Sequence, residues 1–165
     1  MAHVLNEDNL IEEDTVANKY LLFSVDKEIY GAEIKNVEEI IGIQDITHVP
    51  QLPEFIKGII NLRGNIIPVG DLRIRFKKEA GSYMGKASIV ILNLNEVVLG
   101  IIIDNALEVI TIMPDEIQLP PEMSSGYKDK YVKGIAKVNE KIVLLLNIQK
   151  LISEEELDEI KPAIS

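Results

Sequence analysis

The chain has 165 residues, 47% of them apolar and only 5% aromatic, with no Trp, no Cys and two His. Its core must therefore be aliphatic, and disulfides, thiolate metal sites and a cysteine nucleophile are excluded. The formal charge of −10 sits at the ends: residues 1–14 carry five acids and no Lys or Arg, residues 153–165 carry five acids against Lys161, and residues 15–152 hold 17 acids against 16 bases. That leaves no basic face for a nucleic-acid backbone.

Residues 1–17 are acidic and aperiodic and read as a flexible arm. Tyr20 to Val25 and Ile29 to Ile34 flank Asp26-Lys27 as a hairpin. Val37 to Ile43 is a third strand, and Asp45 to Pro53 is an irregular connection holding Pro50 and Pro53. Ile56 to Leu62 and Ile66 to Val69 flank Arg63-Gly64-Asn65 as a second hairpin, which Asp71 to Phe76 leaves. Arg73, Arg75, Lys77 and Lys78 read as the solvated end of an element, and Lys77 to Lys86 as a polar linker. The pattern then restarts: Ser88 to Leu94 and Val97 to Ile103 around Asn95-Glu96, a strand over Leu107 to Met113, and an irregular stretch over Pro114 to Tyr131. Val132 to Val138 and Ile142 to Leu146 close the pattern around Asn139-Glu140-Lys141, and Ile148 to Ile152 leaves that hairpin. Ser153 with Glu156 spells a capping box, so 154–160 is expected to be helical.

The restart is an internal duplication. Residues 20–41 shifted by 69 match Gly31/Gly100, Ile34/Ile103, Asn36/Asn105, Glu39/Glu108 and Ile41/Ile110. Residues 57–73 shifted by 76 match Lys57/Lys133, Gly58/Gly134, Ile59/Ile135 and Ile66/Ile142. Each copy supplies about five short strands, which need closure or stacking to hide their edges. The expected architecture is all-β: two small five-stranded barrels sharing a seam near Ile101-Ile102-Ile103, and a short C-terminal helix. The units are the arm 1–17, a first barrel over 18–86, a second over 87–152, and an acidic helix and tail over 153–165.

Enzyme chemistry finds little support. Gly81-Ser-Tyr-Met-Gly85-Lys86-Ala87 is one residue short of a phosphate loop, has Ala87 where Ser or Thr would hold magnesium, and precedes a strand. His48 lies in a loop without a partner, and no metal or cofactor set is spelled. The remaining enzyme route is a carboxylate pair, Asp71 with Asp104, both closing apolar runs. No apolar run approaches the roughly 20 residues that span a bilayer, and the acidic start has no signal-peptide pattern. The expectation is a cytoplasmic binding module that reaches a membrane only through a partner.

Ile59-Ile-Asn-Leu-Arg-Gly-Asn-Ile-Ile-Pro-Val-Gly-Asp-Leu-Arg73 resembles the signature hairpin of the CheW family of bacterial chemotaxis coupling proteins. Tyr30-Gly-Ala-Glu-Ile34, Val37-Glu-Glu-Ile40, Pro53-Glu-Phe-Ile-Lys-Gly58, Val98-Leu-Gly-Ile-Ile-Ile-Asp104 and Leu144-Leu-Leu-Asn-Ile-Gln-Lys-Leu151 resemble its other segments in order, over about 18–160. The resemblance implies two intertwined five-stranded barrels without enzymatic activity or cofactor. It implies a bridge between the cytoplasmic tips of methyl-accepting chemoreceptors and the C-terminal regulatory domain of the histidine kinase CheA, in arrays at the inner face of the membrane. For the receptor it points to Val37, Glu39, Gly58 and Arg63, and to Ile89, Ala106 and Val109 near the groove between the barrels. For the kinase it points to Ile46, Thr47, His48, Val49, Pro50, Gln51 and Leu52, and to Gln118 and Met123, which depart from the Arg and Phe to which the resemblance leads. A related array serving pilus motility stays open as an alternative. Read from the residues alone, Arg63 is an exposed turn guanidinium free to pair with a carboxylate, Val37 is a core strand residue or part of an apolar groove, and Gly58 permits close backbone packing.

Overall fold

Paired residues with positive φ make the hairpins. Asp26 and Lys27 stand at φ 50° and 69°, Arg63 and Gly64 at 52° and 89°, and Asn139 and Glu140 at 49° and 65°. Two consecutive left-handed residues form the two-residue turn whose twist matches that of antiparallel strands. The structure is a computed structural model that describes residues 16–76, 87–95, 97–119 and 130–164. Nearly all of the expected arm, the 77–86 linker with its glycine-bearing stretch, Lys77, Lys78 and Met123 lie outside the described residues.

Ten strands follow in order: β1 (Lys19–Val25), β2 (Glu28–Glu33), β3 (Val37–Gly42), β4 (Ile56–Leu62), β5 (Asn65–Asp71), β6 (Ser88–Asn93), β7 (Val98–Ile103), β8 (Asn105–Thr111), β9 (Val132–Val138) and β10 (Lys141–Leu146). A one-turn helix, α1 (Leu72–Arg75), follows β5, and α2 (Glu154–Ile164) closes the chain. The strands form two five-stranded sheets, in the orders β8-β1-β2-β10-β9 and β3-β6-β7-β5-β4. Exchanging the two copies of the repeat turns one order into the other. Tyr20 faces Ile110 across β1 and β8, and the duplicated positions Ile89 and Ile41 face each other across β6 and β3. Parallel pairs join β10 to β2 and β5 to β7 at related positions, Leu145 with Gly31 and Val69 with Gly100. Each sheet thus takes a hairpin from one copy and three strands from the other, so the copies are intertwined and the sheets do not follow the stretches 18–86 and 87–152.

Each sheet closes over a small aliphatic core. One holds Ile60, Ile67, Val69, Ile89, Ile91 and Ile102, the other Tyr20, Leu22, Ala136, Val143 and Leu145. A larger cluster between the sheets takes the opposite faces of β1, β2, β6 and β7, including Leu21, Tyr30, Val90, Ile101 and Ile103. The isoleucines of β7 are therefore buried on both faces, as the unbroken apolar run requires. Each fully buried side chain of this size contributes about 1.5–3 kcal/mol. All three Phe, at 23, 55 and 76, lie in the central cluster. Phe23, Tyr30, Phe76 and Tyr131 form a ring-to-ring series with centroids 6.0, 5.3 and 5.9 Å apart, so these four rings sit where the sheets meet.

The capping box forms as spelled: the Glu156 amide donates to Ser153 Oγ at 3.1 Å, and the Ser153 amide donates to Glu156 Oε1 at 2.9 Å. Helix α2 runs past residue 160 to Ile164 and through Pro162, because Ile160 is fully buried and Ile164 packs against the central cluster. Arg73 and Arg75 correct the expectation of a solvated end, being 8% and 9% exposed. Arg73 Nη2 donates to Asp104 Oδ1 at 3.0 Å, while Arg75 donates twice to Glu156, at 2.9 and 2.6 Å. Charges buried with bidentate or capped carboxylate partners are tolerated in a core where lone ones are not.

Candidate functional site

Arg63 occupies the first left-handed position of the β4–β5 turn, and Gly64 the second. The Gly64 amide donates to Asn61 Oδ1 at 2.8 Å, fixing the tip. From there the guanidinium reaches across to β3. Nη1 donates to Glu39 Oε1 at 3.3 Å, and Nη2 donates to Glu39 Oε2. The Glu39 carboxylate raises the Arg63 pKa further above its ordinary value, so the turn keeps its charge. Because β3 and β4 are the two edges of one sheet, this fork joins the sheet's opposite borders. Glu38, Glu39, Leu62, Arg63, Ile66 and Ile164 line a shallow cleft of about 290 Å³ beside it.

The duplication shows how particular this pair is. The counterpart of Glu39 is Glu108, but the counterpart of Arg63 is Asn139. A related carboxylate is thus present on both edges, while the guanidinium that forks to it belongs to one copy alone. Sequence reading singled out Glu39 and Arg63 separately. Their partnership was not visible, because a separation of 24 in sequence gives no register for the sheet edges.

The other receptor-assigned positions fall into different settings. Val37 is half-buried at the start of β3, paired with Leu92 and packed against the central cluster. Ala106 and Val109 lie on β8, an edge strand of the other sheet, where Val109 is 50% exposed and its neighbour Leu107 47%. Ile40 on β3, the duplicated counterpart of Val109, is also exposed. Ile89 corrects its expectation: it is fully buried in the core of its sheet and offers no surface to a partner. Gly58 is also buried, and a Cβ there would stand 2.3 Å from the Thr47 carbonyl oxygen. The position lets the 43–55 connection lie directly on β4.

That connection is pinned by a reciprocal pair of backbone bonds, Thr47 to Ile59 at 2.8 Å and Ile59 to Thr47 at 2.9 Å. Thr47, His48, Pro50 and Gln51 are exposed, while Ile46, Val49 and Leu52 are half-buried. Ile46 packs against one sheet core, and Leu52 against the central cluster. The second copy repeats the device. Gln118 and Ile135 exchange bonds of 2.8 Å in both directions, and the adjoining Leu119 is 82% exposed.

The carboxylates weighed as a catalytic pair are engaged in the fold. Asp71 is fully buried and caps α1, its Oδ1 accepting from the Arg73 amide at 2.9 Å. Asp104 accepts from Arg73 and, through Oδ2, from the Asp26 amide at 2.8 Å. Among the described residues no group of three or more His or acidic side chains could hold a metal, and no helix is long and apolar enough to cross a membrane.

Two sheets exchanged between the copies of a repeat, with exposed turns and edges, define an all-β double-sheet fold in which, among the described residues, the buried Asp71, Arg73 and Arg75 are each bonded to other parts of the fold. The CheW-like domain family matches residues 19–156, and the chain belongs to that family. Among its relatives, the chemotaxis protein CheW of Klebsiella aerogenes is 35% identical over 144 residues, covering 87% of each chain. That of Treponema pallidum is also 35% identical, over 84% of each. The crystal structure of the scaffolding protein TtCheW from Thermoanaerobacter tengcongensis superimposes with a TM-score of 0.77 at 36% identity, covering 84% of this chain and 94% of that one. The protein is accordingly a non-enzymatic chemotaxis scaffold of the CheW type.

Proposed function

We propose that this scaffold couples chemoreceptors to the histidine kinase CheA by holding both on separate faces. The receptor tip docks along the β3 edge and the β4–β5 turn, where Glu39 and Arg63 give a charged anchor. Val37, with Ala106 and Val109 on β8, adds apolar surface. The kinase regulatory domain docks on the two pinned connections, through His48, Pro50 and Gln51 on the first and Gln118 on the second. Ile89 and Gly58 support these surfaces from beneath. The protein works in the cytoplasm and is drawn to the inner face of the membrane by the receptors. Coupling is differential binding: a receptor state that binds the β3 face better shifts the scaffold's equilibrium, and with it the affinity at the connections.

The observation that carries this reading is the Arg63–Glu39 fork. It is open to solvent, sits at the tip of a tight turn and projects from a sheet edge, so both charged groups can be reached by a partner. The test is reconstitution of a receptor signalling fragment, CheA and this protein, followed by sedimentation and kinase assay. Arg63→Glu, which faces Glu39 with a like charge, lowers receptor binding by at least about tenfold and leaves binding of the kinase regulatory domain unchanged. Undiminished receptor binding by a folded Arg63→Glu protein removes the fork from the site.

A further inference from the structure

The first connection ends at Phe55 and the second at Tyr131, positions related by the 76-residue offset of the repeat. Each is fastened to the strand system in the same way: the Asp71 amide donates to the Phe55 carbonyl at 3.1 Å, and the Asn147 amide to the Tyr131 carbonyl at 2.7 Å. One side chain lies against both rings. The guanidinium carbon of Arg75 is 4.0 Å from the Phe55 ring centre and 5.1 Å from that of Tyr131, and Nη1 donates to the Tyr131 hydroxyl at 3.2 Å. The remaining contact comes from α2, where both Glu156 oxygens accept from Arg75, at 2.9 and 2.6 Å.

The repeat supplies an internal control. The counterpart of Arg75 is Leu151, fully buried in the same central cluster. A leucine therefore meets the packing need at the related position, and a buried ion pair is not a general route to stability. A guanidinium offers what leucine does not: a planar face for two rings at once and a directional link to a carboxylate. Glu156 is itself fixed by the Ser153 capping box, so the link runs from the first turn of α2 to the ends of both connections.

We infer that Arg75 is a positioning residue that sets the two connections relative to one another, and that α2 governs it through Glu156. Taken with the proposal that the connections face the kinase, on which this consequence rests, α2 becomes a control point for both kinase-facing surfaces. A change at the Glu156 carboxylate is then felt at two docking sites together.

The experiment is native-state amide exchange on the free full-length protein, which needs no partner. The amides of Asp71 and Asn147 report the Phe55 and Tyr131 carbonyls, and those of Thr47 and Gln118 report the connections farther out. Glu156→Gln removes the charge and is expected to speed exchange about tenfold at all four, in line with loss of a charge-assisted hydrogen bond. Arg75→Lys, which keeps the charge but not the planar fork, is expected to act in the same direction. Leu157→Ala, which trims the apolar face of α2, is expected to speed exchange in α2 and leave the four amides within about twofold of wild type. Acceleration confined to α2, or to one connection, in both Glu156→Gln and Arg75→Lys overturns the inference. Titration of the wild type with a CheA regulatory domain tests the docking reading separately, since failure to bind there leaves the exchange result to decide the role of Arg75.

Discussion

Gly58→Ala separates a folding role from a contact role at a position assigned to receptor binding. A Cβ at residue 58 would lie 2.3 Å from the Thr47 oxygen, 2.9 Å from the Thr47 carbonyl carbon and 2.8 Å from Ile46 Cγ2. Comfortable non-bonded approach is about 3.5 Å, so the connection must retreat by about 1 Å. The two bonds between Thr47 and Ile59, now 2.8 and 2.9 Å, then exceed hydrogen-bonding range. Losing two net hydrogen bonds at about 1 kcal/mol each, with about 1 kcal/mol for displacing Ile46, gives about 3 kcal/mol. For a chain of this size that lowers Tm by roughly 6–12 °C. The duplicated Gly134 is the control. There the close contact, 2.4 Å, is to the Ile117 side chain, and the Gln118 oxygen is at an ordinary 3.4 Å, so Gly134→Ala costs only about 1 kcal/mol. Differential scanning calorimetry of both variants decides the matter. A Gly58→Ala protein that melts with the wild type yet no longer binds a receptor fragment would refute the packing argument and restore Gly58 as a contact.

Three further outcomes are expected. Ile89→Ala, deep in a sheet core, destabilises by about 3 kcal/mol, and chemical denaturation should show this with receptor binding retained in the folded fraction. Val109→Glu, on the exposed β8 edge, leaves Tm within about 2 °C of wild type and weakens receptor-fragment binding in a pull-down. Burial alone would raise the Glu156 pKa, but the Arg75 guanidinium and the Ser153 cap outweigh it and hold the carboxyl below its ordinary value of 4.5. The unfolded chain therefore takes up this proton at a higher pH than the folded one. The stability Glu156 contributes is complete above about pH 4.5 and is lost as pH falls through its folded value. Denaturation midpoints measured from pH 7 to pH 3 should accordingly fall more steeply for wild type than for Glu156→Gln.

Local features of the fold were legible because local chemistry determines them. Asp26-Lys27, Arg63-Gly64 and Asn139-Glu140 all adopt the left-handed pairs that tight hairpins need, and Ser153 with Glu156 starts the helix where the capping box places it. The repeat offsets of 69 and 76 even carry the cross-strand registers, since Tyr20–Ile110 and Ile89–Ile41 are one pair seen twice, as are Leu145–Gly31 and Val69–Gly100. Long-range choices were less legible. Apolar residues at Ile89 and Val109 look alike in sequence, yet one lies inside a sheet core and the other on a sheet edge, because burial depends on which strand ends a sheet. Arg73 and Arg75 have the spelling of a solvated turn and are buried because Asp104 and Glu156, 31 and 81 residues away, arrive to meet them. A signal for Arg75 did exist in the repeat, where the aligned residue is Leu151: an arginine sharing a position with a core leucine needs a buried partner.

A coupling role requires that the scaffold bind the kinase. Calorimetric titration against the C-terminal regulatory domain of a CheA from the same genome is the decisive measurement. Saturable one-to-one binding that survives Arg63→Glu is the predicted result. No heat and no co-elution, with both partners shown to be folded, would contradict the coupling role.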